Sequence, residues 1–255
     1  MESVNNDKII KHGVLTLACQ DSEWCITKCE TDAVEVLIPA EVDGMPVTAI
    51  GECAFADCKR LAKVEFSDII DYIDAGVILF EIGDYAFKNC TSITEIELPE
   101  IVGFIGRGAF YECTSLRVAD IPDCYVGPYA FYGCEALERV NPIRCISEGV
   151  FSHCKSLSVF PVAEGAKEIG EDAFYHCYCL VDITIPASVE VIEPLAFRSC
   201  KNLARVSFAA PEGWYCRSRY KRGEFPIDQS NPEKNAKKLS GMDFDDGVSG
   251  WYRKA

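Results

Sequence analysis

Positive charge is scarce in this 255-residue sequence: 25 Lys and Arg stand against 40 Asp and Glu, a formal net charge of −15. Such a balance does not neutralise a polyanion or an anionic lipid surface, so broad nucleic-acid binding and electrostatic membrane binding are not expected. Long apolar runs are missing too. A bilayer span needs about 20 apolar residues, and the longest candidate, residues 69–80, is interrupted by Asp71 and Asp74. A secretory signal needs a basic start and an apolar stretch of about 7 to 15 residues; this chain opens with Glu2 and Asp7, and its apolar stretch 14–19 is too short. Signatures of catalysis are likewise absent, with no G-x-x-x-x-G-K-[ST], G-x-S-x-G or H-E-x-x-H. Asp243, Asp245, Asp246 and Gly247 lack the fifth-position spacing and the bidentate Glu of a calcium loop, and read as a solvated acidic turn. No cofactor or metal is expected.

What the chain does contain is 49% hydrophobic residues and 15 cysteines. That length and apolar content suffice for a buried core without covalent staples. An odd number of cysteines also forbids a fully paired disulfide framework within one chain.

Most of the sequence is a repeat. The segment Ile50-Gly51-Glu52-Cys53-Ala54-Phe55-Ala56-Asp57-Cys58-Lys59-Arg60-Leu61 states the pattern Ile-Gly-x-x-Ala-Phe-x-x-Cys-x-x-Leu, which returns six times. Its Phe falls at Phe55, Phe87, Phe110, Phe131, Phe151, Phe174 and Phe197, at intervals of 32, 23, 21, 20, 23 and 23 residues. The spacing lies in the period range of a leucine-rich solenoid once an insertion is allowed in the first gap, around residues 69–82. After each serial Leu comes a short alternating stretch, clearest in Ile96-Glu97-Leu98-Pro99 and Ile183-Thr184-Ile185-Pro186. Alternation predicts a strand with one buried face, and Pro ends its pairing because it has no backbone N–H. Pro142 and Pro161 fall inside two of these stretches and predict a frayed or kinked sheet there.

The units resemble the BspA-like leucine-rich repeats, also called the Treponema pallidum type. Residues 24–50 resemble the opening coil of that family, and Pro211 to Tyr215, Asn231-Pro232 and Trp251-Tyr252 resemble its closing segment. The expected architecture is a right-handed, mostly β leucine-rich repeat solenoid of about eight coils with short irregular or helical segments. Residues 1–23 form an N-terminal extension, 24–208 the solenoid and 209–255 a C-terminal cap. Asn231 as N-cap and Pro232 at the first helical position predict a short helix to about residue 239.

One cysteine recurs per coil: Cys58, Cys90, Cys113, Cys134, Cys154, Cys177 and Cys200. Stacked in register they would lie about 4.8 Å apart, within the Cα range of a disulfide. Their Cβ vectors would run parallel, however, so a structural ladder of buried thiols is expected. Cys25 with Cys29, and Cys177 with Cys179, lack the second pair that a zinc site needs. His153-Cys154 and His176-Cys177 raise a cysteine-nucleophile reading, but they share one repeat slot, and no third ligand accompanies the two histidines for a metal. Abundant unpaired cysteine favours a reducing compartment, whereas the resemblance implies a secreted or cell-surface location; the compartment stays open.

Outward positions of the Leu-following strands should line up as a mixed-charge face carrying Lys63, Glu65, Glu95, Glu97, Arg117, Asp120, Glu138, Arg139, Asp182 and Arg205. Charges of both signs suit a specific protein or peptide ligand better than a polyanion. The tail, from residue 209, holds nine Lys or Arg against seven Asp or Glu, and Arg217, Arg219, Lys221 and Arg222 are its basic cluster. A non-enzymatic recognition or adhesion-type module is the leading expectation. A cysteine- or histidine-dependent enzyme or redox protein, and a structural part of a larger assembly, are the alternatives.

Overall fold

Each repeat closes one turn of a β-solenoid of about eight turns, in a computed structural model that describes residues 8–67, 80–210, 212–218, 224–226, 231–240 and 248–253. Most of the expected insertion, the acidic turn at 243–247, and Arg219, Lys221 and Arg222 lie outside the described residues. One turn contributes a strand or a bridge to each of two rows. The first row runs in parallel through Glu23–Cys29, Met45–Ile50, Phe80–Ile82, Val102–Ile105 and Tyr125–Val126. It continues through a bridge from Ile146 to Ile169 into Glu168–Ile169 and Val191–Ile192. Its inward column, Ile26, Ile50, Ile82, Ile105, Val126, Ile146, Ile169 and Ile192, is buried throughout, as the period-2 alternation of a half-buried strand requires.

The second row follows the serial Leu. It pairs Glu35–Ile38 with Lys63–Phe66, then Glu95–Glu97 with Val118–Asp120 and Arg139–Val140, then Asp182–Ile185 with Arg205–Phe208, all parallel. The break after Val140 falls at the two prolines. Past Pro142 and Pro161 only isolated bridges remain, Ile143 to Val162 and Val159 to Asp182, because neither proline can donate to a ladder.

Between the rows lies the Ala-Phe turn, and here the coils are locked together. The Phe87 amide donates to Ala109 O of the next coil at 2.7 Å, and the same bond recurs from Phe55, Phe110, Phe131, Phe151 and Phe174. The seven buried rings stack in sequence with centroids 4.8 Å apart at Phe55–Phe87 and 5.7 Å apart at Phe131–Phe151. The turn is so tight that its backbone is left-handed twice, two residues before Phe and two after, as at Tyr85 (φ 55°) and Asn89 (φ 59°). In the first of these slots Tyr85 is followed one coil later by Gly108, and Tyr129 by Gly149. A Cβ at Gly108 would lie 2.4 Å from the Tyr85 ring, and one at Gly149 2.3 Å from the Tyr129 ring. The tyrosine therefore dictates the glycine that follows it.

Both ends of the stack are closed. Ile9–His12 and Leu15–Gln20 add antiparallel to Glu23–Cys29, so the first turn does not end on a parallel edge. At the far end Val248–Arg253 adds antiparallel to Val191–Ile192, and Trp214–Ser218 and Glu224–Pro226 follow it. Trp214 and Trp251 are buried against Phe208. The second row is closed by a helix, α1 (Pro232–Ser240). Asn231 Oδ1 caps it by accepting from Lys234 N at 2.9 Å, and Asn235 Nδ2 donates to Val206 O at 3.2 Å, so a helical side chain satisfies an edge carbonyl of the last strand.

The Tyr85–Gly108 relation is testable. Gly108→Ala should destabilise the protein by about 1–3 kcal/mol in urea unfolding, from ring overlap and left-handed backbone together. In a Tyr85→Ala background the cost of the same change should fall to the backbone part alone, about 1 kcal/mol. Equal costs in both backgrounds would show that the ring is not the cause.

Candidate functional site

The second row carries the ten charged residues expected to meet a partner, in its strands or, for Arg117 and Glu138, just before them, beside the buried column Val36, Val64, Ile96, Ala119, Val140, Phe160, Ile183 and Val206. The structure pairs six of them. Arg117 grips Glu138 of the next coil with both ends of its fork (Nε to Oε1 3.1 Å, Nη2 to Oε2 3.0 Å). Arg205 grips Asp182 of the preceding coil in the same way, at 2.9 and 2.8 Å. Lys63 Nζ reaches Glu65 at 2.7 Å on its own strand. These pairs hold the Glu138 and Asp182 carboxyls below the usual carboxylate range, chiefly through the hydrogen bonds from their arginines. Asp120 accepts from Asn141. Glu95, Glu97 and Arg139 make no side-chain hydrogen bond or ion pair among the described residues.

Two strand slots that hold charge in other coils hold valine here. Val159 occupies the slot of Lys63 and Arg139 and is 64% exposed, while Val181, in the slot before it, is 41% exposed. Val181, Asp182, Ala204 and Arg205 floor an open pocket of about 430 Å3, walled on one side by Glu233 and Lys237 of α1. The helix thus turns the end of the face into a notch where Val181, Leu203 and Ala204 lie beside the Asp182–Arg205 ion pair. Val159 and Val181 belong to the repeat rows, and the signal for them was a hydrophobe at an outward slot; the charge pattern drew attention away from it. On the first row, Phe104 and Tyr125 are also exposed, but their rings stack at 5.1 Å and cover one another.

A third feature runs along the Ala-Phe turns. Tyr111 and Tyr132 stack at 4.6 Å; Tyr132 meets His153 at 5.1 Å, and His153 meets His176 at 4.7 Å. Tyr178 Oη lies 2.7 Å from His176 Nδ1. Both imidazoles are held below their ordinary value, first by burial and then by positive neighbours. Lys155 acts on His153, with Glu135 opposing it; His153 itself, Lys201, Arg198 and Lys155 act on His176.

The thiols beside these histidines point the other way, into the core. Cys154 Sγ donates to Phe131 O at 3.2 Å and Cys177 Sγ to Phe151 O at 3.1 Å. The same bond to the preceding Phe carbonyl joins Cys90 to Phe55, Cys113 to Phe87, Cys134 to Phe110 and Cys200 to Phe174. Burial pushes these thiols far up, with Cys200 raised to about 12 and Cys113, Cys154 and Cys177 well above the ordinary thiol value. A nucleophilic cysteine needs a thiolate and a base in reach; here the thiol is protonated and bonded to backbone, and the imidazole is on the outside of the turn. Among the described residues no group of three or more His, Cys, Asp or Glu could hold a metal ion, and no helix is long and apolar enough to cross a membrane.

A family profile described as "BspA type Leucine rich repeat region" matches the chain in six copies, over residues 39–79 and 80–204. No curated protein is matched. Among solved structures, the leucine-rich repeat protein of T. pallidum is similar at 22% identity and a TM-score of 0.56, over 92% of this chain and 97% of its own. A leucine-rich cell surface protein of Faecalibacterium prausnitzii is similar at 22% identity and a TM-score of 0.55, over 84% of this chain and 59% of its own. At these identities the two structures speak for the fold.

Two outcomes are expected. In native thiol labelling followed by peptide mapping, the exposed Cys53 and Cys179 should react quickly, and Cys90, Cys113, Cys134, Cys154, Cys177 and Cys200 only on unfolding. Rapid native reaction of any of the six would reinstate a chemical role. With both histidines depressed in the folded state, the unfolded chain takes up protons first as pH falls through about 6.5, so stability is kept above that value and lost below it. The melting temperature should fall between pH 7.5 and 5.5, and His153→Asn with His176→Asn should flatten that fall, Asn being tolerated in left-handed backbone.

Proposed function

Because the chain belongs to the BspA-type leucine-rich repeat family, we propose that it is a non-enzymatic recognition or adhesion-type module that holds a protein or peptide against the second-row face. The observation that carries this reading is the notch at the α1 end of that face. Val159 and Val181 present exposed apolar surface at slots built for solvated side chains, and Val181 opens into the pocket formed with α1. Exposed hydrophobes framed by charge are the composition of a binding patch, with an apolar centre for energy and polar groups around it for orientation.

The charged residues have different roles in this arrangement. Arg117, Glu138, Asp182, Arg205, Lys63 and Glu65 already satisfy one another, and such exposed pairs contribute about 0–1 kcal/mol each. They define a rim and a register for the ligand. Glu95, Glu97 and Arg139 are left to pair with it. A polyanion is disfavoured by the acidic total, and a ligand with both an apolar anchor and a basic group is favoured by the open carboxylates of Glu95 and Glu97.

A photocrosslinking residue at Val159 or Val181 should capture a discrete protein from a cell extract, and Val159→Glu with Val181→Glu should cut capture about tenfold, or ~1.4 kcal/mol, without changing the melting temperature. Equal capture from position 104 on the first row, or capture indifferent to the two glutamates, would place the binding surface elsewhere.

A further inference from the structure

The cysteine ladder ends differently from the way it runs. From Cys90 onward each thiol has its own acceptor, the carbonyl of the preceding coil's Phe, at 3.0–3.2 Å. Cys58 belongs to the first repeat and has no preceding Phe. The register of the coils shows what replaces it: Cys29 N donates to Ala54 O at 2.7 Å, the bond that six of the seven repeats make from their Phe. Cys29 thus sits in the Phe slot of the opening coil, with a thiol where an aromatic ring would be.

As a result, two thiols share one place. Cys29 Sγ lies 3.5 Å and Cys58 Sγ 3.8 Å from the same acceptor, Glu30 O. Both residues are buried, at 2% and 0% exposure, so the two thiols meet at one backbone carbonyl inside the core. Each thiol is the leading influence on the other's titration, which raises Cys29 and lowers Cys58. No other ladder position offers a thiol both a thiol partner and a shared acceptor among the described residues.

We infer that Cys29 and Cys58 form a dithiol site that closes reversibly to a disulfide by exchange with a small-molecule disulfide, fastening the N-terminal strands to the first repeat. The Cys58 thiolate attacks one sulfur of the small disulfide, forming a mixed disulfide and expelling one small thiolate. Deprotonated Cys29 then attacks Cys58 Sγ, forming the Cys29–Cys58 bond and expelling the second. The protein loses two electrons and two protons, and the small disulfide is reduced to two thiols. Local opening of the N-terminal strands that cover Glu23–Cys29 gives the reagent access. The bond would close a loop across the opening coil, holding the Glu23–Cys29 strand to the Ala54-Phe55 turn.

The test uses the whole chain carrying Cys53→Ser and Cys179→Ser, which removes the thiols that are exposed among the described residues, incubated under native conditions with oxidised and reduced glutathione at pH 8. After acid quenching and alkylation, peptide mapping should find a peptide pair joined through Cys29 and Cys58, two hydrogens lighter than the reduced pair and released by reductant. The oxidised form should melt about 5–10 °C higher than the reduced form. Cys29→Ser should abolish both effects, while Cys90→Ser, one coil along, should leave the joined pair intact. Recovery of Cys29 and Cys58 as alkylated thiols, a stable glutathione adduct on either, or preferential joining of two other ladder cysteines would overturn the assignment.

Discussion

The Phe peptide of each coil is clamped to the next coil at both ends, and the rest of the structure depends on it. Its amide donates to the next Ala carbonyl, its carbonyl receives the next Cys thiol, and its ring lies between the rings above and below. Three constraints at one residue leave no freedom in how coils superpose. Length differences between coils, from 20 to 32 residues between successive Phe, must therefore be absorbed elsewhere on the turn. Small side chains in the Ala and Cys slots suit the same constraint; where Val150 takes the Ala slot the amide bond is kept at 2.9 Å while the Phe131–Phe151 rings stand 5.7 Å apart.

A solenoid made this way has two open ends and two outward faces, and each is handled by a different device. Antiparallel strands close both ends of the first row, and α1 closes the second row with one amide on one carbonyl. Outward charges are settled between coils, through Arg117 with Glu138 and Arg205 with Asp182. Such pairs contribute little to stability and a good deal to specificity, because a ligand must match a pattern that is already internally neutral. Where pairing stops, at Glu95, Glu97 and Arg139, and at the exposed Val159 and Val181, the face has something left to offer.

The ladder thiols show how far one residue type can differ in chemistry within a chain. Six are desolvated and hydrogen-bonded to carbonyls, and behave as small core hydrophobes with a donor. At the end of the series Cys58 shares its carbonyl acceptor, Glu30 O, with the thiol of Cys29, and the inferred exchange chemistry belongs to that pair. The difference comes from the neighbouring coil, since all seven cysteines have the same place in the repeat.

The repeat determined the solenoid, the two strand rows, the inward cysteines, the prolines' interruption of the second row and the capped helix at Pro232, because each follows from local periodicity or backbone chemistry. The sequence also named the outward charged slots. It could not say that six of those ten charges pair with one another, since that depends on side chains one coil apart meeting at hydrogen-bond distance. Nor could it show that Val159 and Val181 stand beside a helix contributed by the tail, or that Cys29 takes a Phe slot. Those are relations between distant segments, which stacking creates and which no periodicity within one repeat records.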